Sequence, residues 1–381
     1  MNNRHYFDWA ATAIPDAGIR VDAPFGNPSS KYEEGRLARQ SLEDARKRCA
    51  TVLGLEPSRL YFTSGGTESN ALVLFSLLMR KNRTGMSGLL YSTVEHPSIR
   101  ENTAPLEQLG IPAVPVGVEP DGRVSPRALE RALEKRPRPL MAAFMAVNNE
   151  TGSLSDLGVL TRLLRSQTGP RIHVHSDMVQ AAGKIPVDIP GWDLDSASFS
   201  AHKLGGPRGI GLLYLRKAPD PVYRGGGQEG GIRPGTENTA GALALAECLE
   251  RHARPELVNA AHAEATERMA FLIRALKTLN RCTILPRDRE DRDPRFSPYI
   301  LQAAFQGIPG EVMVRTLDDA GFAVSTGSAC SSSSKSRPVL TAMGVEGERA
   351  FEGIRISQGW STTTADIEAL VREIGEILRV L

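Results

Sequence analysis

Alternation between short apolar runs and amphipathic stretches constrains the fold of this chain more than any other feature. Runs with the length and composition of β-strands lie at residues 59–63, 88–91, 140–147 and 172–175. Amphipathic segments with helical periodicity, at residues 68–80 and 157–166, lie between them. This alternation predicts a largely parallel sheet with helices on both faces. Ligands of such sheets bind beyond the carboxyl ends of the strands, where loops and helix N-termini converge.

The pattern changes after residue 235, where two long helices are predicted at residues 236–252 and 256–279. A second α/β segment follows, with strands near residues 303–305 and 353–356 and a closing helix at residues 365–378. A chain of 381 residues is long enough for two domains. We therefore expect a large domain over residues 15–250. Residues 251–381, together with residues 1–14, are expected to form a small domain.

Composition indicates an ordinary soluble protein, with 41% hydrophobic and 24% charged residues. The formal net charge of +2 gives no electrostatic reason to expect nucleic acid or a membrane surface as a partner. We find no apolar run long enough to cross a bilayer and no signal peptide, so we expect a cytoplasmic protein. Cys49, Cys248, Cys282 and Cys330 form no C-x-x-C pair, and the seven histidines form no ligand cluster. Free thiols and no metal site are therefore expected.

The tetrapeptide Ser-Ala-His-Lys at residues 200–203 follows a strand-like run and precedes a glycine-rich turn at residues 204–211. The amine of Lys203 can reach a buried aldehyde from such a position, while hydroxyl, imidazole and backbone N–H groups beside it hold an anion. A lysine that bonds to the aldehyde of pyridoxal phosphate requires this arrangement. An ordinary surface lysine in a glycine turn is the alternative.

A possible phosphate site lies at residues 62–70, which follow one predicted strand and open a helix. The glycines before Thr67 allow backbone N–H groups to approach a phosphate at the positive end of the helix, and Thr67 adds a hydroxyl. A plain strand-to-helix turn, with Thr67 or Ser64 as the N-cap, explains the same residues.

Three further strand ends carry polar side chains. Asp177 can pair with a protonated pyridine nitrogen or cap the next helix. Asn148 and Asn149 can bind a ring hydroxyl or simply form a turn. His96, before a proline, can stack on a planar ring and move protons, or only begin a helix.

Cys330 lies in a run of small residues at 325–334, where a thiol can be exposed and mobile as a nucleophile must be. Lys335 and Arg337 would favour its thiolate, although an incidental loop cysteine is the alternative. Arg355, flanked by isoleucines in a predicted strand, can clamp a substrate carboxylate or form a buried structural ion pair.

In this order the motifs resemble those of the cysteine desulfurases in the class V aminotransferase family, which are fold-type-I pyridoxal-phosphate enzymes. The resemblance covers nearly the whole chain. The matching segments are residues 8–12, 25–30, 63–70, 95–96, 147–152, 177–180, 200–203, 233–236 and 325–330, with Arg355. It implies an α/β fold: a mostly parallel seven-stranded sheet covered by helices, plus a smaller C-terminal α/β domain that carries the cysteine loop.

The resemblance also implies a role for each candidate residue. Lys203, Cys330 and His96 are the catalytic residues: Lys203 bonds to the cofactor, His96 stacks on its ring, and Cys330 carries a persulfide. Asn149 and Arg355 bind the substrate, L-cysteine. The cofactor ligands are Gly66, Thr67, His96, Asn149, Asp177, Gln180, Ser200, His202, Lys203 and Thr236. Thr236 reaches the neighbouring subunit, so a homodimer with shared sites is implied, together with a sulfur-acceptor protein.

Some features depart from the family pattern. The segment between Pro15 and Phe25 is short, and Lys335 and Arg337 stand where relatives often have Leu-Glu-Pro-like residues. We also expect no extended C-terminal tail of the kind by which some relatives engage a scaffold for iron–sulfur assembly. A selenocysteine lyase, another class V enzyme and a non-catalytic protein of this fold are the alternatives, and Cys330 argues against an ordinary transaminase.

Overall fold

A seven-stranded sheet forms the centre of the protein, in a computed structural model that describes residues 4–79, 88–135, 139–327, 336–345 and 347–381. The strands in chain order are β1 (His5–Tyr6), β2 (Leu60–Thr63), β3 (Leu89–Ser92), β4 (Ala113–Val116), β5 (Met141–Ala143), β6 (His173–Asp177), β7 (Ser196–Ser200), β8 (Gly211–Leu215), β9 (Cys282–Leu285), β10 (Ile300–Phe305), β11 (Phe322–Ala323) and β12 (Gly353–Ser357).

Helices cover the sheet and link it to the C-terminal part of the chain. In chain order they are α1 (Glu33–Leu53), α2 (Gly66–Phe75), α3 (Pro97–Arg100), α4 (Thr103–Gln108), α5 (Pro126–Lys135), α6 (Leu157–Thr168), α7 (Thr239–His252), α8 (Pro255–Lys277), α9 (Gly310–Asp319), α10 (Pro338–Ala342), α11 (Glu348–Phe351) and α12 (Thr364–Val380).

The large sheet has the strand order β2-β8-β7-β6-β5-β3-β4. β8 runs antiparallel to β2 and β7, whereas every other neighbouring pair is parallel. The prediction of a mostly parallel seven-stranded sheet is therefore confirmed. Because parallel strands end at the same edge, the residues that follow β3, β5, β6 and β7 meet there.

Both faces of this sheet are buried, as the sequence pattern predicted. Along β8, Leu212 and Tyr214 pack in the core that contains α1, α5, α6 and α7. Leu213 and Leu215 alternate with them and pack against α2, α3 and α4 on the opposite face. Alternate side chains of a strand point to opposite faces, so a strand that is apolar at every position requires cover on both sides.

A second core surrounds a three-stranded antiparallel sheet with the order β12-β10-β9. α8, α9 and α12 pack against it, and so does Phe7 from the N-terminal segment. β1 also pairs in parallel with β11, so His5 and Tyr6 lie with the C-terminal part of the chain. Ala10, in contrast, packs in the core of the large sheet, so the division into residues 15–250 and residues 251–381 with 1–14 stays a prediction.

Two predicted elements differ from those in the structure. The strand expected over residues 140–147 ends at Ala143, and beyond it only the amides of Phe144 and Ala146 donate to β6, at His175 and Asp177. The helix expected from residue 236 begins at Thr239, because the side chain of Asn238 caps it. Thr236 therefore lies outside that helix.

A buried ion pair joins α1 to the segment after β8. The guanidinium of Arg46 donates two hydrogen bonds of 2.7 Å to the carboxylate of Glu229, which also accepts from the amide of Phe62. Both side chains are buried. Breaking such a pair leaves an uncompensated buried charge.

We therefore expect Glu229→Gln to lower the free energy of unfolding by about 3–5 kcal/mol in urea denaturation. Glu267→Gln, which weakens an exposed pair with Arg292, is the control and should leave the denaturation midpoint nearly unchanged. An unchanged midpoint for Glu229→Gln would show that the buried pair does not stabilise the fold.

Candidate active site

A cavity of about 770 Å³ opens at the carboxyl edge of the large sheet. Ten of the residues singled out in the sequence line it: Gly66, Thr67, His96, Asn149, Asp177, Gln180, Ser200, His202, Lys203 and Arg355. Thr236 is exposed and does not line this cavity. Cys330 lies outside the described residues. The structure thus brings together side chains from segments that are far apart in the sequence.

Asp177, at the end of β6, is held by two donors. Its Oδ1 accepts from the amide of Val179 at 2.9 Å, and its Oδ2 accepts from the Nδ2 of Asn70 at 2.8 Å. The Asp177 residue is 6% exposed, and it borders the cavity. A buried carboxylate fixed in this way can receive a hydrogen bond from a protonated ring nitrogen.

Asn70, which the sequence analysis did not single out, uses every hydrogen-bonding position of its buried amide. Its Oδ1 accepts from the hydroxyl of Ser198 at 2.6 Å and lies 2.9 Å from the Nε2 of His175. Burial lowers the pKa of His175 to about 3, so the ring is neutral and donates through Nε2. This network fixes the amide so that its nitrogen faces Asp177.

The second hydrogen of the Asn70 amide connects this network to His96. Asn70 donates to the hydroxyl of Ser98 at 2.8 Å, and both the hydroxyl and the amide of Ser98 contact the Nδ1 of His96. Burial lowers the pKa of His96, which favours the neutral ring. Because Nδ1 accepts from an amide N–H, the ring proton is on Nε2.

Lys203 lies in a short 3₁₀ turn directly after β7. Its Nζ donates to the carbonyls of Ala10 and Ala11, at 2.5 and 2.7 Å. The Nε2 of Gln180 also donates to the carbonyl of Ala10, at 2.8 Å. The N-terminal segment therefore holds two cavity residues, a role that the motif at residues 8–12 did not reveal in the sequence.

One end of the cavity is suited to an anion. Gly66 and Thr67 form the first turn of α2, whose free backbone N–H groups favour negative charge. A Cβ atom on Gly66 would lie 2.6 Å from the Cγ2 of Val179, so a side chain there would need Val179 to shift. Ser200 and His202 line the same cavity. Burial, with the nearby charge of Lys203, lowers the pKa of His202 to about 4.

Arg355, on β12, is both a cavity residue and a member of a buried ion pair. It is 2% exposed, and it donates to the carbonyl of Asn149 at 2.8 Å and to the carboxylate of Asp8 at 2.7 Å. Its Nε has no partner among the described residues. The structure thus shows the buried ion pair, whereas the clamp on a substrate carboxylate stays a prediction for a residue that lines the cavity.

Two buried carboxyl groups also line the cavity, and the sequence analysis had not singled them out. Burial raises the pKa of Glu95 well above its usual value, and Asp177 raises it further. Burial likewise raises the pKa of Glu150. One oxygen of each carboxyl lacks a partner within the part of the chain that the structure describes. The sequence could have indicated them only through their neighbours, because Glu95 precedes His96 and Glu150 follows Asn149.

Arg337 was expected to favour the thiolate of Cys330, and this stays a prediction because Cys330 lies outside the described residues. The side chain of Arg337 is buried and donates to the carbonyls of Gly353 and Thr326.

Burial raises the pKa of Cys49, Cys248 and Cys282 to about 12, so these thiols are protonated and poorly nucleophilic.

Within the described ranges, the His, Cys, Asp and Glu side chains do not gather into a group able to hold a metal ion. The same ranges contain no helix that combines the length and apolar character needed to span a bilayer.

The strand order, and a cavity bordered by Asp177 and Lys203 at the ends of neighbouring strands, are those expected of the fold-type-I class. Comparison with known proteins narrows this class. The family model for class V aminotransferases matches residues 5–370. The chain therefore belongs to the class V aminotransferase family, as its motifs indicated.

Individual relatives match over nearly full length. A NifS/IcsS protein homolog of Lactobacillus delbrueckii subsp. bulgaricus is 35% identical, over 98% of this chain and 96% of that protein. The cysteine desulfurase IscS of Dictyoglomus turgidum is 33% identical, over 100% and 96%. A solved NifS-like protein has a TM-score of 0.88 at 31% identity and covers 99% of this chain and 100% of its own.

Proposed function

We propose that this protein is a pyridoxal-phosphate-dependent cysteine desulfurase, which converts L-cysteine to L-alanine and holds the sulfur as a persulfide on Cys330. The observation that carries the proposal is that Lys203, Asp177 and Arg355 line one cavity. These side chains supply an amine, a carboxylate and a guanidinium, which are the groups that this reaction requires. The names of full-length relatives support the choice of substrate.

The cavity residues fit the cofactor. The α2 N-terminus at Gly66 and Thr67, with Ser200 and His202, would hold the phosphate. Asp177 would face the pyridine nitrogen and His96 would stack on the ring. Gln180 and Asn149 would contact the ring oxygen and the substrate. When bound, pyridoxal phosphate supplies an electron sink for the substrate's Cα–H bonding electrons.

Four side chains of the protein would act on the substrate and the bound cofactor. Arg355 binds the substrate carboxylate and so orients the Cα–H bond toward Lys203. Lys203 takes the α-proton on Nζ and returns a proton to the carbon skeleton. Asp177, whose Oδ2 accepts from Asn70, would receive a hydrogen bond from the protonated ring nitrogen. The neutral His96 covers the ring and carries a proton on Nε2 for exchange with the substrate.

Cys330 completes the exchange of sulfur. Its thiolate bonds to the substrate sulfur while the carbon–sulfur bond breaks, and the carbon takes up a proton. One L-cysteine and one thiol thus give one L-alanine and one persulfide, so no external oxidant is consumed. The persulfide then passes to an acceptor. Of the segment expected to take part in this transfer, residues 331–335 lie outside the described residues.

We further propose a cytoplasmic homodimer with shared sites, in which the exposed Thr236 reaches the phosphate site of the partner subunit. A sulfur-acceptor protein serving iron–sulfur cluster assembly or thiolation is the proposed partner. The side chain of Arg337 is committed to backbone carbonyls, so it is not available to that acceptor in this conformation.

Substitution of the nucleophile tests the proposed function. Cys330→Ala should keep the cofactor and still change its visible spectrum with L-cysteine, yet release sulfide under reductant at least ~10³-fold more slowly. Cys282→Ala removes a thiol whose pKa burial raises to about 12, and it is the matched control with unchanged turnover. Wild-type sulfide release from Cys330→Ala would reject the nucleophile and with it the proposed reaction.

A further inference from the structure

Lys184 is a buried lysine that the proposed reaction does not use. It lies four residues after Gln180 and is 8% exposed. Its Nζ donates to the Oε1 of Gln180 at 2.6 Å. Gln180 lines the main cavity, whereas Lys184 lines a neighbouring cavity of about 300 Å³ and does not border the main one. Gln180 therefore connects Lys184 to the main cavity.

The hydrogen bonds of Gln180 assign the orientation of its carboxamide. The carbonyl of Ala10 can only accept, so the Gln180 atom at 2.8 Å from it is the nitrogen. The oxygen is then the atom that faces Lys184. A carboxamide nitrogen has two hydrogens, and one of them is used on Ala10. The second hydrogen is the one left for a group bound in the main cavity.

Among the described residues, Lys184 alone donates to the oxygen of Gln180. A buried amide oxygen that loses its donor is destabilised, and it regains a partner by rotating away. The carbonyl of Ala10 alone holds the amide less firmly, because it also accepts from Lys203. Burial and the charges of Lys203 and Arg355 lower the pKa of Lys184 to about 7. A neutral amine still donates, so the contact survives on both sides of that pKa.

We propose that Lys184 is a positioning residue, whose Nζ holds the Gln180 carboxamide with its nitrogen toward the ring oxygen of the cofactor. This inference rests on the proposed function for the identity of the cofactor. A donor at the ring oxygen stabilises the form in which that oxygen is anionic, and this form absorbs visible light. The form with a protonated ring oxygen absorbs in the near ultraviolet instead.

A double-mutant cycle read by absorption tests the proposal. Wild type, Lys184→Met, Gln180→Ala and the double variant are loaded with pyridoxal phosphate, without substrate. Each single variant is expected to lower the ratio of the visible to the near-ultraviolet band about 5-fold, which is the change expected from losing the net free energy of one hydrogen bond. The double variant should match Gln180→Ala, because the proposed effect of Lys184 on the ring oxygen passes through Gln180. Lys277→Met, which removes a donor to the carbonyl of Arg289, is the control.

If the two substitutions act independently, the double variant will have a lower ratio of the visible to the near-ultraviolet band than Gln180→Ala, and the proposal is overturned. An unchanged spectrum for Lys184→Met would also overturn it. If circular dichroism shows that Lys184→Met does not fold, the spectrum of Gln180→Glu is used as the test instead. Its carboxylate pairs with Lys184 but has no hydrogen to donate, so the visible band should fall, and a retained band overturns the proposal. Because no readout involves sulfur release, a failure of the desulfurase reaction would appear separately, as normal spectra without alanine or sulfide.

Discussion

Lys203→Ala is expected to reduce turnover of L-cysteine by at least ~10³–10⁴-fold, because in the proposed reaction the amine both bonds to the cofactor and moves the α-proton. Lys203 is placed for this by the 3₁₀ turn after β7, and its Nζ is held by the carbonyls of Ala10 and Ala11. Steady-state formation of alanine measures the loss. The cofactor should still bind through the phosphate residues, but wash out on gel filtration.

Lys217→Ala is the control for this substitution, since Lys217 is exposed and does not line the cavity. It should retain wild-type turnover and cofactor retention. Added methylamine, which replaces the missing amine, should restore part of the activity of Lys203→Ala. Lys203→Ala with turnover within tenfold of wild type would contradict the assigned role.

Asp177→Asn is expected to lower kcat about 10²–10³-fold, because a neutral amide could not provide the proposed stabilisation of a positive charge on the cofactor ring nitrogen. Asn70 and Val179 both donate to the carboxylate, so the substituted amide would also direct N–H toward a donor. Initial rates at saturating L-cysteine measure the effect. Asp177→Glu should recover less than full activity, since its longer side chain displaces the carboxylate.

Asp156→Asn is the matched control for Asp177→Asn. Like Asp177, Asp156 lies at the end of a secondary-structure element and accepts a hydrogen bond from a backbone amide. Its side chain, however, caps the N-terminus of α6. Its substitution should leave kcat unchanged, because Asn is as good an N-cap as Asp. Equal effects of the two substitutions would show that the Asp177 charge does not contribute to the reaction.

Much of this site can be predicted from the sequence because parallel strands end at one edge. Asp177 and Ser200 are each the last residue of a strand, and Lys203 follows within one turn. Strand alternation alone therefore brings them together. The strand expected over residues 140–147 was wrong beyond Ala143, since a continuous apolar run does not show where regular pairing stops.

The contacts that position these residues could not be predicted in this way. Asn70 and Asp177 are 107 residues apart in sequence, and Asp8 and Arg355 are 347 apart. No local pattern marks either pair. In the sequence, Lys184 cannot be told apart from a surface lysine. Only its burial and its hydrogen bond to Gln180 show that it lies next to the candidate site. Buried polar networks depend on tertiary packing rather than on periodicity.

The central claim is tested most directly by one experiment on the full chain reconstituted with pyridoxal phosphate. The absorption spectrum is recorded before and after addition of L-cysteine under reductant, and alanine and sulfide are assayed in the same tube. We predict a visible band that shifts on addition, with alanine and sulfide formed in equal amounts. A protein that takes up no cofactor, or whose band shifts without formation of alanine, would contradict the proposed function.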